Sequence, residues 1–150
     1  LDNHLDVIAT DHAPHLLSEK YLIPGPSPQV EKGAAPSPLE KAGVRSYEHA
    51  HSGLPLVQHS LLLMLKYYKE GRISLEKIVE KMSHAVADCF TIENRGYIRE
   101  GYFADVVVVD VNKTTEVKKE NLLYKCGWSP LEGETLPAII MHTFVNGNCV

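Results

Sequence analysis

An α/β fold is predicted by three features of this sequence. Val7-Ile8-Ala9-Thr10 is a short apolar run that reads as a buried strand, and it leads directly into Asp11-His12-Ala13-Pro14-His15. Stretches with apolar residues on one helical face follow in the middle of the chain. A β-rich tail closes it, from the β-branched run Val106-Val107-Val108-Val109 to an Asn146-Gly147 turn between apolar segments. In a parallel α/β protein the strand C-termini open onto the ligand face. A carboxylate and two imidazoles emerging where strand 7–10 ends therefore mark the candidate site. Pro14 fixes its own φ and biases Ala13 away from helix, so the turn has a defined shape. Asp11 at such a point can bind a metal, accept a proton, or do both. The plainer alternative is an Asp that caps the next turn beside a His that merely packs.

Composition narrows the class. The 150 residues are 44% apolar, enough for the core of one ordinary domain. Fifteen basic and nineteen acidic residues give a net charge of −4 with no sustained run of one sign, which speaks for a solvated surface and against nucleic acid. The longest apolar stretch, Leu61-Leu62-Leu63-Met64-Leu65, is too short to span a membrane. Cys89, Cys126 and Cys149 are odd in number and far apart, with neither metal spacing nor a disulfide framework. They read as small buried apolar residues in a reducing cytoplasm. The start, Leu1-Asp2-Asn3-His4, has no initiator Met and no signal-peptide pattern.

The elements follow in order. From Leu16 to His51, prolines 24, 26, 28, 36 and 38 and glycines 25, 33 and 43 interrupt any long helix. Ser18-Glu19-Lys20-Tyr21 and Pro38-Leu39-Glu40-Lys41-Ala42-Gly43 are each compatible with a short helical turn. Ser52-Gly53-Leu54-Pro55-Leu56 reads as a sharp turn in which Gly53 permits positive φ or close backbone approach. A helix is predicted from about Val57 to Glu70, with Leu61, Leu62, Leu65 and Tyr68 near one face and Gly71 as its C-terminal stop. A second is predicted from Leu75 to Cys89 after Ser74 as N-cap, burying Ile78, Val79, Met82, Val86 and Phe90. Glu76 suits the positive end of its dipole, while Lys77 stands where a capping box would place Glu or Gln. Gly101-Tyr102 turns the chain before the Val106–Val109 strand, and Asn146-Gly147 predicts a type I′ hairpin. His84 and His142 read as structural or surface histidines.

Ile8-Ala9-Thr10-Asp11-His12-Ala13-Pro14-His15 resembles the last active-site segment of the dihydroorotase family, in the cyclic amidohydrolase superfamily. Related hydantoinases and allantoinases share the Asp-His part, and the closing Pro-His favours dihydroorotase. Further segments resemble the family: Ser52-Gly53 within its Gly-containing loop, Gly96–Asp110 as its "G-x-I-x-x-G-x-x-A-D-hydrophobic run", and Ser129-Pro130-Leu131-Glu132-Gly133, with Leu131 in place of Phe. The chain departs from the pattern at Leu56, where a second Gly is usual, at Gln58, where Glu is usual, and at Ala85 and Val86, where Asn and Pro are usual.

The resemblance implies the C-terminal part of a metal-dependent (β/α)8 barrel with a small β-sandwich tail. Such a barrel takes roughly 250 residues, so this chain is expected to be the C-terminal portion of a longer enzyme. Residues 1–95 would hold the last barrel strand, the active-site loop and the following helices, and residues 96–150 the β-rich tail, with Asp105 structural at the start of a strand. The implied activity interconverts dihydroorotate and N-carbamoyl-L-aspartate in pyrimidine synthesis. The implied cofactor is zinc, as one or two divalent ions. Asp11 would be metal ligand and proton carrier, His15 would bind the substrate carboxylate, and Ser52 and Gly53 would touch substrate. The implied partner is that small molecule, with a homo-oligomer left open. No His-x-His follows a strand here, and His49-Ala50-His51 sits in the irregular stretch. One carboxylate cannot hold zinc tightly where three or four ligands are required, so this segment alone is expected to lack catalysis. The alternatives are a hydantoinase- or allantoinase-type enzyme, or a non-catalytic scaffold relative.

Overall fold

The computed structural model describes residues 4–20 and 51–150. The helical turn expected at Pro38–Gly43 and the residue His49 lie outside them. The described elements are the short helix α1 (Leu17–Lys20), α2 (Ser60–Lys69) preceded by a 3₁₀ turn (Val57–His59), then α3 (Leu75–Val79), a π turn (Glu80–His84) and α4 (Ala85–Cys89). The tail holds β1 (Val106–Asp110), β2 (Thr115–Glu116), β3 (Thr135–Leu136), β4 (Ile139–Val145) and β5 (Asn148–Cys149). Among the described residues no helix is long and apolar enough to cross a membrane.

The buried strand expected at residues 7–10 is not formed: Val7–Thr10 is irregular and Ala9 is exposed. A strand exists only within a ladder, and among the described residues this segment has no ladder partner. Its backbone is instead held by a helix. In the π turn the Ala85 N–H reaches back to the Glu80 carbonyl. This frees the Lys81 carbonyl, which an α-helical Ala85 N–H would have taken. Ile8 N–H donates to that carbonyl at 3.0 Å.

The helix starts and stops follow from the local sequence. Ser74 sits in extended conformation and its hydroxyl accepts the Lys77 N–H at 3.2 Å, as an N-cap should. Gly71, at φ 71°, ends the turn after α2. On α2, Leu62 and Leu65 are buried, with Leu61 and Tyr68 packed beside them. The face expected for the second helix needs correction. Ile78 is buried and Met82 packs on the core, but Val79 is exposed and Phe90 is 68% exposed, while Ala87 is buried instead. The π turn adds a residue to one turn and rotates everything after it.

The core is shared between helices and tail: Leu62, Leu65 and Ile78 pack with Val117, Leu136 and Ala138, all buried. β2 and β3 form a two-stranded antiparallel pair, Thr115 opposite Leu136. The other sheet has the order β1-β4-β5, antiparallel throughout. A bulge between Val108 and Val109 breaks the alternation of β1, so Val107 and Val108 are both exposed, at 44% and 43%. The buried strand expected there is thus only half-covered. Asn146 and Gly147 have φ of 52° and 80°, as a type I′ turn requires, and join β4 to β5. Asp105 locks this hairpin to the start of β1. It accepts the Asn146 N–H at 2.8 Å and pairs with Arg95. That N–H first, and then the Arg95 guanidinium, hold its carboxyl below the usual carboxylate range.

Candidate functional site

Asp11 leaves the irregular segment with φ 47°, in the left-handed region. Asp is among the few residues that visit this region with little penalty, because its short polar side chain bonds locally. The turn it begins docks on the segment from His51 to Leu56. Ala13 N–H donates to the Leu54 carbonyl at 3.1 Å, and His12 and Leu54 form a parallel bridge. Gly53, at φ 74°, lies against this junction. A Cβ on it would stand 2.5 Å from the Ala13 Cβ and 2.6 Å from the Asp11 carbonyl oxygen. Only glycine allows that approach.

Both histidines of the turn are engaged. His12 Nδ1 accepts the N–H groups of Leu56 and Val57 at 3.2 and 3.4 Å. It thereby caps the 3₁₀ turn from a distance, and its ring proton must then sit on Nε2. The His15 ring stacks on that of His51, with centroids 4.6 Å apart and planes at 17°. The His15 carbonyl accepts the indole N–H of Trp128 at 2.9 Å, and Trp128 is buried. The tail therefore holds the backbone of the turn in place. Lys20, at the end of α1, donates to the carbonyls of His51 at 2.6 Å and Gly53 at 2.5 Å, with that of Ser52 at 3.4 Å.

The structure therefore brings the four sequence-predicted residues together: Asp11 and His15 on one turn, Ser52 and Gly53 on the segment docked against it. Sequence reasoning missed Lys20, the capping role of His12 and the Trp128 contact. Their partners lie 31 to 33, 44 to 45 and 113 residues away, beyond any periodicity or turn signal. Gln58 departs from the family pattern, and the contacts explain how it is used. Its side chain donates to the Asn121 carbonyl and accepts the Leu123 N–H, each at 2.9 Å. A Glu has no hydrogen to offer Asn121.

His59, the last residue of the 3₁₀ turn, is 1% exposed; among the described residues its Nδ1 has no hydrogen-bond partner, and its ring lies edge-on to Tyr124 at 6.1 Å. Burial lowers its pKa from the ordinary 6.5. Between the folded value and 6.5 the unfolded chain binds more protons, so stability is complete above that range and declines as pH falls through it. Urea midpoints taken at descending pH should drop less steeply below pH 6.5 in His59→Phe than in the parent. Identical slopes would overturn this assignment.

A family model for amidohydrolases matches residues 6–150, and the chain belongs to the amidohydrolase family. It is 34% identical to the dihydroorotase of Pyrococcus abyssi over 150 residues, which cover 100% of this chain and 30% of that protein. It is 33% identical to the dihydroorotase of Pyrococcus furiosus over 144 residues, covering 96% and 28%. The chain thus spans less than a third of the length of these relatives. Among solved structures it resembles a D-hydantoinase (dihydropyrimidinase) from Thermus sp. at a TM-score of 0.75 and 20% identity, over 97% of this chain and 28% of that one. It also resembles the L-hydantoinase (dihydropyrimidinase) from Arthrobacter aurescens at a TM-score of 0.62 and 28% identity, over 69% and 23%. These likenesses imply the (β/α)8-barrel fold, of which this chain forms a part.

Asp11 offers an exposed carboxylate on a preset backbone, but among the described residues no three of His, Cys, Asp and Glu converge to hold a metal ion. The described residues by themselves do not make a complete metal site.

Proposed function

We propose that the complete protein is a cyclic-amide hydrolase that interconverts dihydroorotate and N-carbamoyl-L-aspartate. Residues 1–95 would serve as the last barrel strand, active-site loop and helices, and residues 96–150 as one part of a composite β-sandwich. The observation that carries this reading is the docking of the Asp11–His15 turn onto Ser52-Gly53, with His15 stacked on His51. It gathers a carboxylate, an imidazole and a closely docked backbone segment at one place.

Among the described residues, Asp11 would be the ligand to a zinc ion, the remaining ligands coming from other parts of the complete protein. Zinc bound there would polarise the ring carbonyl and make water nucleophilic at neutral pH. In the hydrolytic direction the water oxygen bonds to the carbonyl carbon, the ring C–N bond breaks, and Asp11 carries the proton from the water to the leaving nitrogen. The His15 imidazole would pair with the substrate carboxylate. Ser52 and Gly53 hold the ring through backbone groups. The cysteines are free, with Cys89 and Cys149 exposed and Cys126 half-buried rather than buried as expected, and their scatter suits a reducing cytoplasm.

The likeness to the Arthrobacter L-hydantoinase supports a second reading, a hydantoin-cleaving enzyme. The two separate at the carboxylate of the substrate. A site built to pair a charged group discriminates strongly against an analogue that lacks it. The complete, metal-loaded protein should therefore turn over dihydroorotate with a kcat/KM at least about a hundredfold above that for hydantoin. Faster turnover of hydantoin would establish the second reading. A folded, metal-loaded protein inactive on both would be a scaffold relative.

A further inference from the structure

The amidohydrolase reading leaves Lys20 without a role, yet its ammonium is the most densely engaged cation near the candidate site. Among the described residues its partners are the carbonyls of His51, Ser52 and Gly53, and none is a carboxylate. An ammonium has three donors and no preferred plane, so it can draw successive carbonyls toward one point as a planar guanidinium cannot. In a trans peptide unit the N–H points opposite to the carbonyl. Carbonyls of His51 and Ser52 turned to Lys20 therefore send the N–H groups of Ser52 and Gly53 to the other side.

We propose that Lys20 is a positioning residue: it gathers the carbonyls of residues 51–53 and so presents the Ser52 and Gly53 N–H groups as donors to an anionic or carbonyl-bearing ligand. Three observations support this geometry. Gly53 is held at φ 74° against the Asp11 carbonyl and Ala13, so the segment cannot slide toward the turn. His51 is pinned by its stack on His15, and Leu54 by the Ala13 N–H. Lys20 restrains the side that these contacts leave open. Through it, α1 is tied to the segment that would touch substrate, 31 to 33 residues further along. Lys20 touches neither substrate nor reacting atoms, so its effect is on binding geometry.

The substrate-facing half of this proposal rests on the dihydroorotate reading, and the experiment separates the two. Hydrogen exchange by mass spectrometry is measured on the complete protein, for the parent, Lys20→Ala and Lys20→Arg. Amides in peptides covering residues 51–57 should exchange at least about tenfold faster in Lys20→Ala. Added ethylammonium should slow them again, tetramethylammonium should not, and Lys20→Arg should fall between parent and alanine variant. Unchanged exchange, or acceleration spread evenly over the protein, overturns the clamp. Steady-state kinetics on the same proteins test its purpose. KM for dihydroorotate should rise about tenfold in Lys20→Ala with kcat changed less than about threefold, and ethylammonium should restore it. An equal fall in kcat with KM unchanged overturns the positioning role. A parent inactive on dihydroorotate, with the exchange result as expected, refutes the substrate and leaves the clamp standing.

Discussion

Gly53→Ala is expected to be the most damaging single-methyl substitution in the described residues near the site. The added Cβ would lie 2.5 Å from the Ala13 Cβ and 2.6 Å from the Asp11 carbonyl oxygen. Neither is the far end of a flexible side chain, so the two segments must part. The φ of 74° adds its own penalty for any L side chain. Left-handed backbone costs roughly 1–2 kcal/mol and overpacking a further 1–3 kcal/mol, so a loss of about 3 kcal/mol is expected in urea denaturation of the complete protein. Gly101→Ala is the control: its φ is 82°, but nothing lies within 4 Å of the new Cβ. It should show the backbone penalty alone, about 1 kcal/mol. Equal losses in the two variants would mean that the Gly53 junction is not close-packed. Because the bridge between His12 and Leu54 spans the same junction, activity should fall with stability in Gly53→Ala and not in Gly101→Ala.

Asp11→Asn should separate chemistry from stability. Asn tolerates the left-handed region as Asp does, so the backbone at φ 47° survives the change. Alanine would mix backbone strain with loss of the carboxylate, and its result would be harder to read. Asn removes the charge and the ability to take and return a proton. A fall in kcat of about 10³-fold on dihydroorotate is expected, with the urea midpoint unchanged. Metal content measured on the same samples divides the effect: retained metal with lost turnover assigns the proton role, and lost metal assigns the ligand role. Residual kcat within about tenfold of the parent would remove Asp11 from the chemistry altogether.

Where local chemistry decides, sequence and structure agree. Ser74 is an N-cap because its hydroxyl meets the Lys77 N–H three residues on. Asn146-Gly147 is a type I′ turn because both residues accept positive φ. Leu62 and Leu65 are buried because helical spacing puts them on one face. The failures share one cause, which is a partner distant in sequence. Val7–Thr10 has the composition of a strand but no ladder beside it among the described residues, and its Ile8 N–H goes to Lys81 of a π turn. That π turn rotates the end of its helix and exposes Phe90, although the apolar pattern pointed inward.

The same division holds at the site. The residue types of the Asp11–His15 turn, the need for glycine at residue 53 and the amidohydrolase character of the chain were readable from the sequence, because they rest on motif chemistry and on dihedral freedom. That Gly53 touches Asp11 and Ala13, that His12 caps the turn at Val57, that Trp128 holds the His15 carbonyl and that Lys20 gathers the carbonyls of residues 51–53 was decided by the tertiary structure. Each is a hydrogen bond or close approach between segments that only packing brings together, and no local propensity encodes where such segments meet.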